Sequence, residues 1–194
     1  MRVSRAQALS NRRRSVTASS RLFRGRGYDG VGLMELMKAA GFSHGAFYGQ
    51  FESKAEVISE ATQEALADGV GNWRAVASGA SDPLTALARF YLSIGHRNLL
   101  EEGCALAALA GDAPRQGPEV REAFTKGIND HLSILTEILP PEASEDDALR
   151  VLSTMVGALL LARATADDEL SKRILDVARA SITNEFSSAA GRPK

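Results

Sequence analysis

At 194 residues, 44% hydrophobic and 24% charged, the chain has the size and composition of a soluble protein with one core or two small ones. A single cysteine, Cys104, excludes an internal disulfide, and the longest apolar run, Met155 to Ala162, is far short of the roughly 20 residues a helical membrane span needs. The net charge of −1 hides a division: residues 1–54 carry ten Arg or Lys against three Asp or Glu, a formal +7, and the remainder carries −8. A basic end on an otherwise acidic chain predicts one part that meets a polyanion and one that does not.

Residues Met1 to Asn11 read as a flexible basic arm, followed by Arg12, Arg13 and Arg14 and a helical pattern through Val16, Ser19, Leu22 and Phe23. Gly25 to Gly27 end that helix. Leu33, Leu36, Met37 and Ala40 then fall at i, i+3, i+4 and i+7, an apolar stripe on a second helix. Gly41 offers the positive φ of a helix C-terminus, and Ser43 a cap for the next helix. In that third helix Phe47 and Phe51 share the inner side, which leaves His44, Gly45, Tyr48 and Gln50 at its start and outer side. Two helices around a short Gly-containing turn form a helix-turn-helix pattern, whose second helix enters the major groove. A small helical subdomain with a Phe-rich core would explain the two phenylalanines equally well, but not an exposed Tyr48 followed by Lys54.

The run from Ala40 to Lys54, AGFSHGAFYGQFESK, resembles the signature of the tetracycline-repressor (TetR) family of bacterial transcription regulators. Upstream, Leu22-Phe23-Arg24-Gly25-Arg26-Gly27-Tyr28 is similar to the family's L-F-x-x-x-G-[YF]. The resemblance covers the first quarter to third of the chain. It implies that Ser43, His44, Gly45, Tyr48, Gln50 and Lys54 meet DNA, with Arg13 and Arg14 counted beside them as basic contacts. Tyr48 and Lys54 would position the protein on phosphates, and His44 would read a base edge. The chain departs from the pattern at Gly32, where Thr is frequent, at Gly49, where a larger residue is usual, and at Gln50, where His or Tyr is usual. Two phosphate contacts are thereby put in doubt, not the fold.

Ser53-Lys54-Ala55-Glu56 has the form of a capping box and opens a long helix with Val57, Ile58, Ala61, Ala65 and Leu66 inward. Gly69 and Gly71 weaken its middle or end it. Asp82-Pro83 starts a helix whose pattern runs through Leu84, Leu87, Ala88, Tyr91, Leu92 and Leu99 to Gly103. Cys104 to Ala110 is a short apolar helix, and Glu119 to Leu139 a longer one ended by Pro140-Pro141. Two final helices span 144–166 and 167–188, with Leu149, Leu152, Met155, Val156, Leu159 and Leu160 on the first and Ile174, Val177, Ala178, Ile182 and Phe186 on the second. The class is therefore all-α, with about nine helices: a helix-turn-helix domain with its basic arm over 1–54 and a helical domain over 55–190.

The resemblance implies that the last two helices pair with their copies in a homodimer, whose recognition helices, roughly 34 Å apart, would read a palindromic double-stranded operator. It also implies a small-molecule effector taken up by the C-terminal domain, for which Trp73, Phe90, Tyr91, His96, Cys104, Phe124 and His131 are the candidates. Each of these residues has ordinary core packing as its rival. The three histidines have no metal-type spacing, no phosphate loop is present, and Cys104 has no neighbour that marks a nucleophile, so neither enzyme, metal nor cofactor is expected. The reading is a cytoplasmic, ligand-responsive repressor. Its rivals are a redox- or electrophile-sensing repressor triggered through Cys104, and an all-α enzyme or carrier whose head no longer reads DNA.

Overall fold

A computed structural model describes residues 4–41 and 47–187. Over these residues the fold is all-α: α1 (Arg5–Arg26), α2 (Leu33–Ala40), α3 (Lys54–Ser78), α4 (Pro83–Tyr91), α5 (Ile94–Asn98), α6 (Ala105–Leu109), α7 (Pro118–Ile138), α8 (Glu145–Ala164) and α9 (Asp168–Ser187). A single 3₁₀ turn, Ala113–Arg115, lies between α6 and α7. The chain forms two compact units, one of residues 1–68 and 101–125, the other of residues 69–100 and 126–194.

In the first unit α1 begins earlier than the basic arm suggested. Ser4 caps it by accepting from the Gln7 amide at 3.2 Å, and Arg5, Ala6, Gln7, Ala8 and Leu9 continue it. These are good helix formers without an apolar period, so propensity and a cap rather than burial hold this turn. The buried side of α1 carries Ser15, Val16, Ser19, Ser20, Phe23 and Arg24. It ends at Gly27, φ 73°, whose N–H returns to the Phe23 carbonyl at 2.8 Å. That φ, in a region side-chain-bearing residues rarely adopt, is what requires glycine at this position.

Tyr28, fully buried, locks the turn after α1. Thr62 Oγ1 donates to the Ile58 carbonyl at 2.7 Å, so it accepts the Tyr28 hydroxyl, also at 2.7 Å. Burial pushes the Tyr28 phenol up to about 12. Helix α2 buries Leu36, Met37 and Ala40 and stops at Gly41 in the left-handed region, as its sequence predicts. The capping role expected of Ser43 lies outside the described residues.

In the second unit the pattern predicted from Leu84 to Gly103 is broken. Asp82 caps α4 through the Thr85 amide at 3.0 Å, but α4 stops at Tyr91. Ser93 then caps the separate α5 through the His96 amide at 3.1 Å, and Leu99 is left exposed. A hydroxyl that can bond nearby backbone favours such a restart, which an apolar pattern does not reveal. Helix α3 runs through Gly69 and Gly71 to Ser78 without a break. Ser144 and Asp147 form a reciprocal capping box at the start of α8. Helices α8 and α9 pack together, α9 also packs on α4, and α8 on α5. Arg163 donates to the carbonyls of His96, Arg97 and Leu99 at 3.0–3.1 Å, satisfying the C-terminal end of α5 from α8. No helix among the described residues is long and apolar enough to cross a membrane.

Candidate functional site

The positively charged head is built around a turn that closes on itself. Phe47 and Phe51 are 2% and 1% exposed with ring centroids 5.3 Å apart, and the amides of Gln50 and Phe51 both return to the Phe47 carbonyl, at 2.8 and 3.0 Å. Burying these two rings turns Tyr48 outward, with half of its surface exposed and its ring edge-on to Phe47 at 5.5 Å. Arg13 and Arg14 are exposed on α1. Ser43, His44 and Gly45 lie outside the described residues. Gln50 is half-buried and its side-chain oxygen has no partner.

Lys54, expected on phosphate, is half-buried and donates to the Tyr28 carbonyl at 2.9 Å. An ammonium carries three donors, so this bond aims the side chain without exhausting it. Ser53 caps α3 through the Glu56 amide at 3.2 Å, but the Glu56 carboxylate returns to the Glu52 amide at 2.6 Å rather than to Ser53. That bond, together with Arg12, holds the Glu56 carboxyl below its ordinary range.

Arg12, unlike its exposed neighbours Arg13 and Arg14, is half-buried. Its guanidinium donates to the Gln50 carbonyl and to the carboxylates of Glu56 and Glu60, the Nε–Glu60 bond being 3.1 Å. It also lies 4.4 Å from the centre of the Phe51 ring. One side chain of α1 thus holds both the end of the 47–51 turn and the first two turns of α3. The hydrogen bond to Glu60 is the main cause that raises Arg12 above its ordinary value. The signal was the pair of carboxylates at 56 and 60, one helical turn apart, which match the fork of an arginine.

With this geometry in place, residues 16–61 match the family described as bacterial regulatory proteins, tetR family. Residues 16–61 thus resemble the head of the tetR-family regulators. Among curated proteins none matches the chain significantly. The fold is shared with solved structures. That of E. coli NemR in its reduced form is 21% identical, covers 90% of this chain and 96% of that one, and has a TM-score of 0.76. A TetR-family regulator from Cytophaga hutchinsonii is 19% identical over 95% and 98% of the two chains, with a TM-score of 0.78. A TetR regulator from Chloroflexus aurantiacus J-10-FL is 23% identical over 94% and 96%, with a TM-score of 0.80.

Away from this head, the structure divides the seven pocket candidates. Cys104 and Phe124 are buried in the first unit. The other five gather in the second unit. Trp73 meets His131 at 4.7 Å and Tyr91 at 5.5 Å, both edge-on; Tyr91 meets His96 at 4.6 Å; and Phe90, partly exposed, stacks on His96 at 5.8 Å. His96 Nδ1 lies 2.7 Å from the Tyr91 carbonyl and His131 Nδ1 2.6 Å from that of Gly127. A carbonyl only accepts, so both rings carry their proton on Nδ1 when neutral. Burial pulls both imidazoles below their ordinary value of 6.5.

A histidine whose folded pKa is depressed resists a proton that the unfolded chain accepts. The stability difference is absent above the unfolded pKa and grows as pH falls through it. Unfolding free energy is therefore expected to fall with pH below about 6.5, by up to about 1.4 kcal/mol per pH unit for each imidazole. Urea titrations at about pH 7.5 and about pH 5.5 measure this, and His131→Phe should flatten the decline. An unchanged slope in that variant would show that His131 does not contribute.

Proposed function

We propose that the protein is a homodimeric repressor which binds a palindromic operator through its TetR-type heads and leaves it when a small molecule enters the second unit. The match of residues 16–61 to the TetR head carries the DNA-binding part of this reading. The dimer is supported by Leu149, Leu160 and Leu161 on α8 and Leu170 and Val177 on α9, each 46–62% exposed. Leu149, Val156 and Leu160 lie within about 40° of one another around α8, and Leu170 and Val177 within about 20° around α9. Two packed helices that each leave an apolar stripe in solvent need a further surface to cover them. Release would be a population shift, in which the effector binds better to a form whose two heads are spaced wrongly for the operator.

In this reading Tyr48 and Lys54 hold phosphates, Gln50 offers its amide, Arg13 and Arg14 add charge along the backbone, and Ser43, His44 and Gly45 occupy the start of the reading helix. A gel shift on the DNA flanking the protein's own gene tests it. Tyr48→Ala and Lys54→Ala should each weaken binding to all sequences alike, and Lys54→Ala should lower the salt slope by about one. A Lys54→Ala protein with altered sequence preference and the wild-type salt slope would refute the phosphate assignment.

A second trigger at Cys104 has one observation in its favour. The largely buried guanidinium of Arg24 lies within electrostatic range of the Cys104 sulfur. Against it, Cys104 is itself only 6% exposed, and small-molecule release remains the preferred reading.

A further inference from the structure

Helix α8 carries a glycine that its own chain does not use. Gly157 lies well inside this 20-residue helix. Its φ is not positive, so the backbone there has no need of glycine, and a glycine inside a helix is less stable than an alanine. Nothing within the chain offsets this, because a Cβ at Gly157 would meet nothing within 4 Å. Gly71, inside α3, is alike in both respects, and the two differ in what surrounds them. Three and four positions from Gly71 stand Ala67, Asp68, Arg74 and Ala75, all exposed, a face that water solvates. The same positions around Gly157 hold Ser153, Thr154, Leu160 and Leu161, without a charge, and the two leucines are 52% and 58% exposed.

At about 100° per residue, Gly157 falls between the two leucines, about 60° from Leu160 and about 40° from Leu161. Leu160 shares its own side with Leu149 and Val156. The water-facing side of α8 therefore has a ridge, Leu149, Val156 and Leu160. Beside it is a notch, floored by the Gly157 backbone and walled one turn on by Leu160 and Leu161. A ridge and a notch side by side on one helix complement each other. A two-fold axis through such a face sets the ridge of each copy against the notch of the other, so the surface that fits it is a second copy of itself.

We propose that α8 crosses its own copy at Gly157, with Leu160 of each chain seated in the notch of the other. The absent Cβ lets the two backbones approach more closely than any other residue of this face would allow. This rests on the dimeric reading above and names the point at which the two chains cross.

Sedimentation of the full-length protein over a range of concentrations measures the dimer dissociation constant. Gly157→Leu is expected to raise it about 30-fold or more, since the added side chain overpacks the crossing in both copies. The single chain has open space there, so the variant should keep the wild-type helix content by circular dichroism. Gly71→Leu, with the same space on a solvated face, should leave the constant as in wild type. Gly157→Cys should form a disulfide-linked dimer in oxidised glutathione, because residues at a two-fold crossing come within the roughly 6 Å that a disulfide spans, and Gly71→Cys should not. Cys104, 6% exposed, is too buried to take part. A Gly157→Leu protein that dissociates as the wild type does, or a Gly157→Cys protein that cross-links no more than Gly71→Cys, overturns the crossing point. The double variant Leu160→Asp, Val177→Asp separates this from the wider reading. If it is monomeric while Gly157→Leu is not, α8 and α9 remain the dimer surface and only the crossing falls; a monomeric wild type refutes both.

Discussion

Leu160→Asp combined with Val177→Asp is expected to make the protein monomeric and to lower operator affinity by about 100-fold or more. Leu160 and Val177 are 52% and 62% exposed in the single chain, on the stripes left uncovered by the packing of α8 against α9. Covering one such side chain is worth about 1.5–3 kcal/mol. In a two-fold interface each substitution occurs twice, so four carboxylates would have to be buried without partners, at a cost far above the gain of the remaining contacts. The chain itself should fold, because both residues already face water in one copy. Loss of the second head removes the effective concentration that joins two half-sites, commonly a factor of about 10²–10⁴. Light scattering on the eluting protein gives the mass, and a gel shift the affinity. A variant that still runs at twice the chain mass would refute α8 and α9 as the dimer surface.

Arg12→Ala is expected to weaken operator binding by about tenfold while leaving the salt slope at its wild-type value. The slope distinguishes a residue that positions the head from one that neutralises a phosphate, whose removal lowers it by about one. Arg12 is bound to the Gln50 carbonyl, to two carboxylates and to the face of Phe51, all within the protein. Its side chain is 29% exposed and those of Glu56 and Glu60 33% each, so solvent screens the ion pairs and each bond lies at the low end of the charged range. Removing it should cost about 1–2 kcal/mol of stability in this unit, and the 47–51 turn loses its tie to α1 and α3. Arg12→Lys should recover only part of the affinity, since an ammonium cannot reproduce the planar fork that spans two carboxylates and a carbonyl. Arg14→Ala, exposed on the same helix, is the contrast: a lower salt slope with an unchanged unfolding midpoint. If Arg12→Ala lowered the slope as Arg14→Ala does, Arg12 would be a phosphate contact and not a clamp.

The parts of this protein that could be read in one dimension were those governed by local rules. The stripe of α2, its stop at Gly41, the caps at Ser53 and Asp82, and the inward pair Phe47 and Phe51 all depend on residues within a turn or two of each other. The resemblance of Ala40 to Lys54 was legible for the same reason, since a short ungapped run carries it. Where local rules compete, the pattern misled. The apolar period through Leu84 to Leu99 did not show that Ser93 restarts the helix, and the non-periodic Arg5 to Leu9 did not show that Ser4 begins one.

The amino-acid order by itself determined the helical class, the basic head and the outward Tyr48, because periodicity, charge and capping act between near neighbours. Only the folded chain decided that Arg12 faces inward while Arg13 and Arg14 do not, that Lys54 is held at Tyr28, and that Trp73, Tyr91, His96 and His131 converge while Cys104 and Phe124 belong elsewhere. Those outcomes depend on which distant carboxylate, carbonyl or ring lies within about 4 Å of a side chain, and contact between residues tens of positions apart leaves no trace in their spacing along the chain.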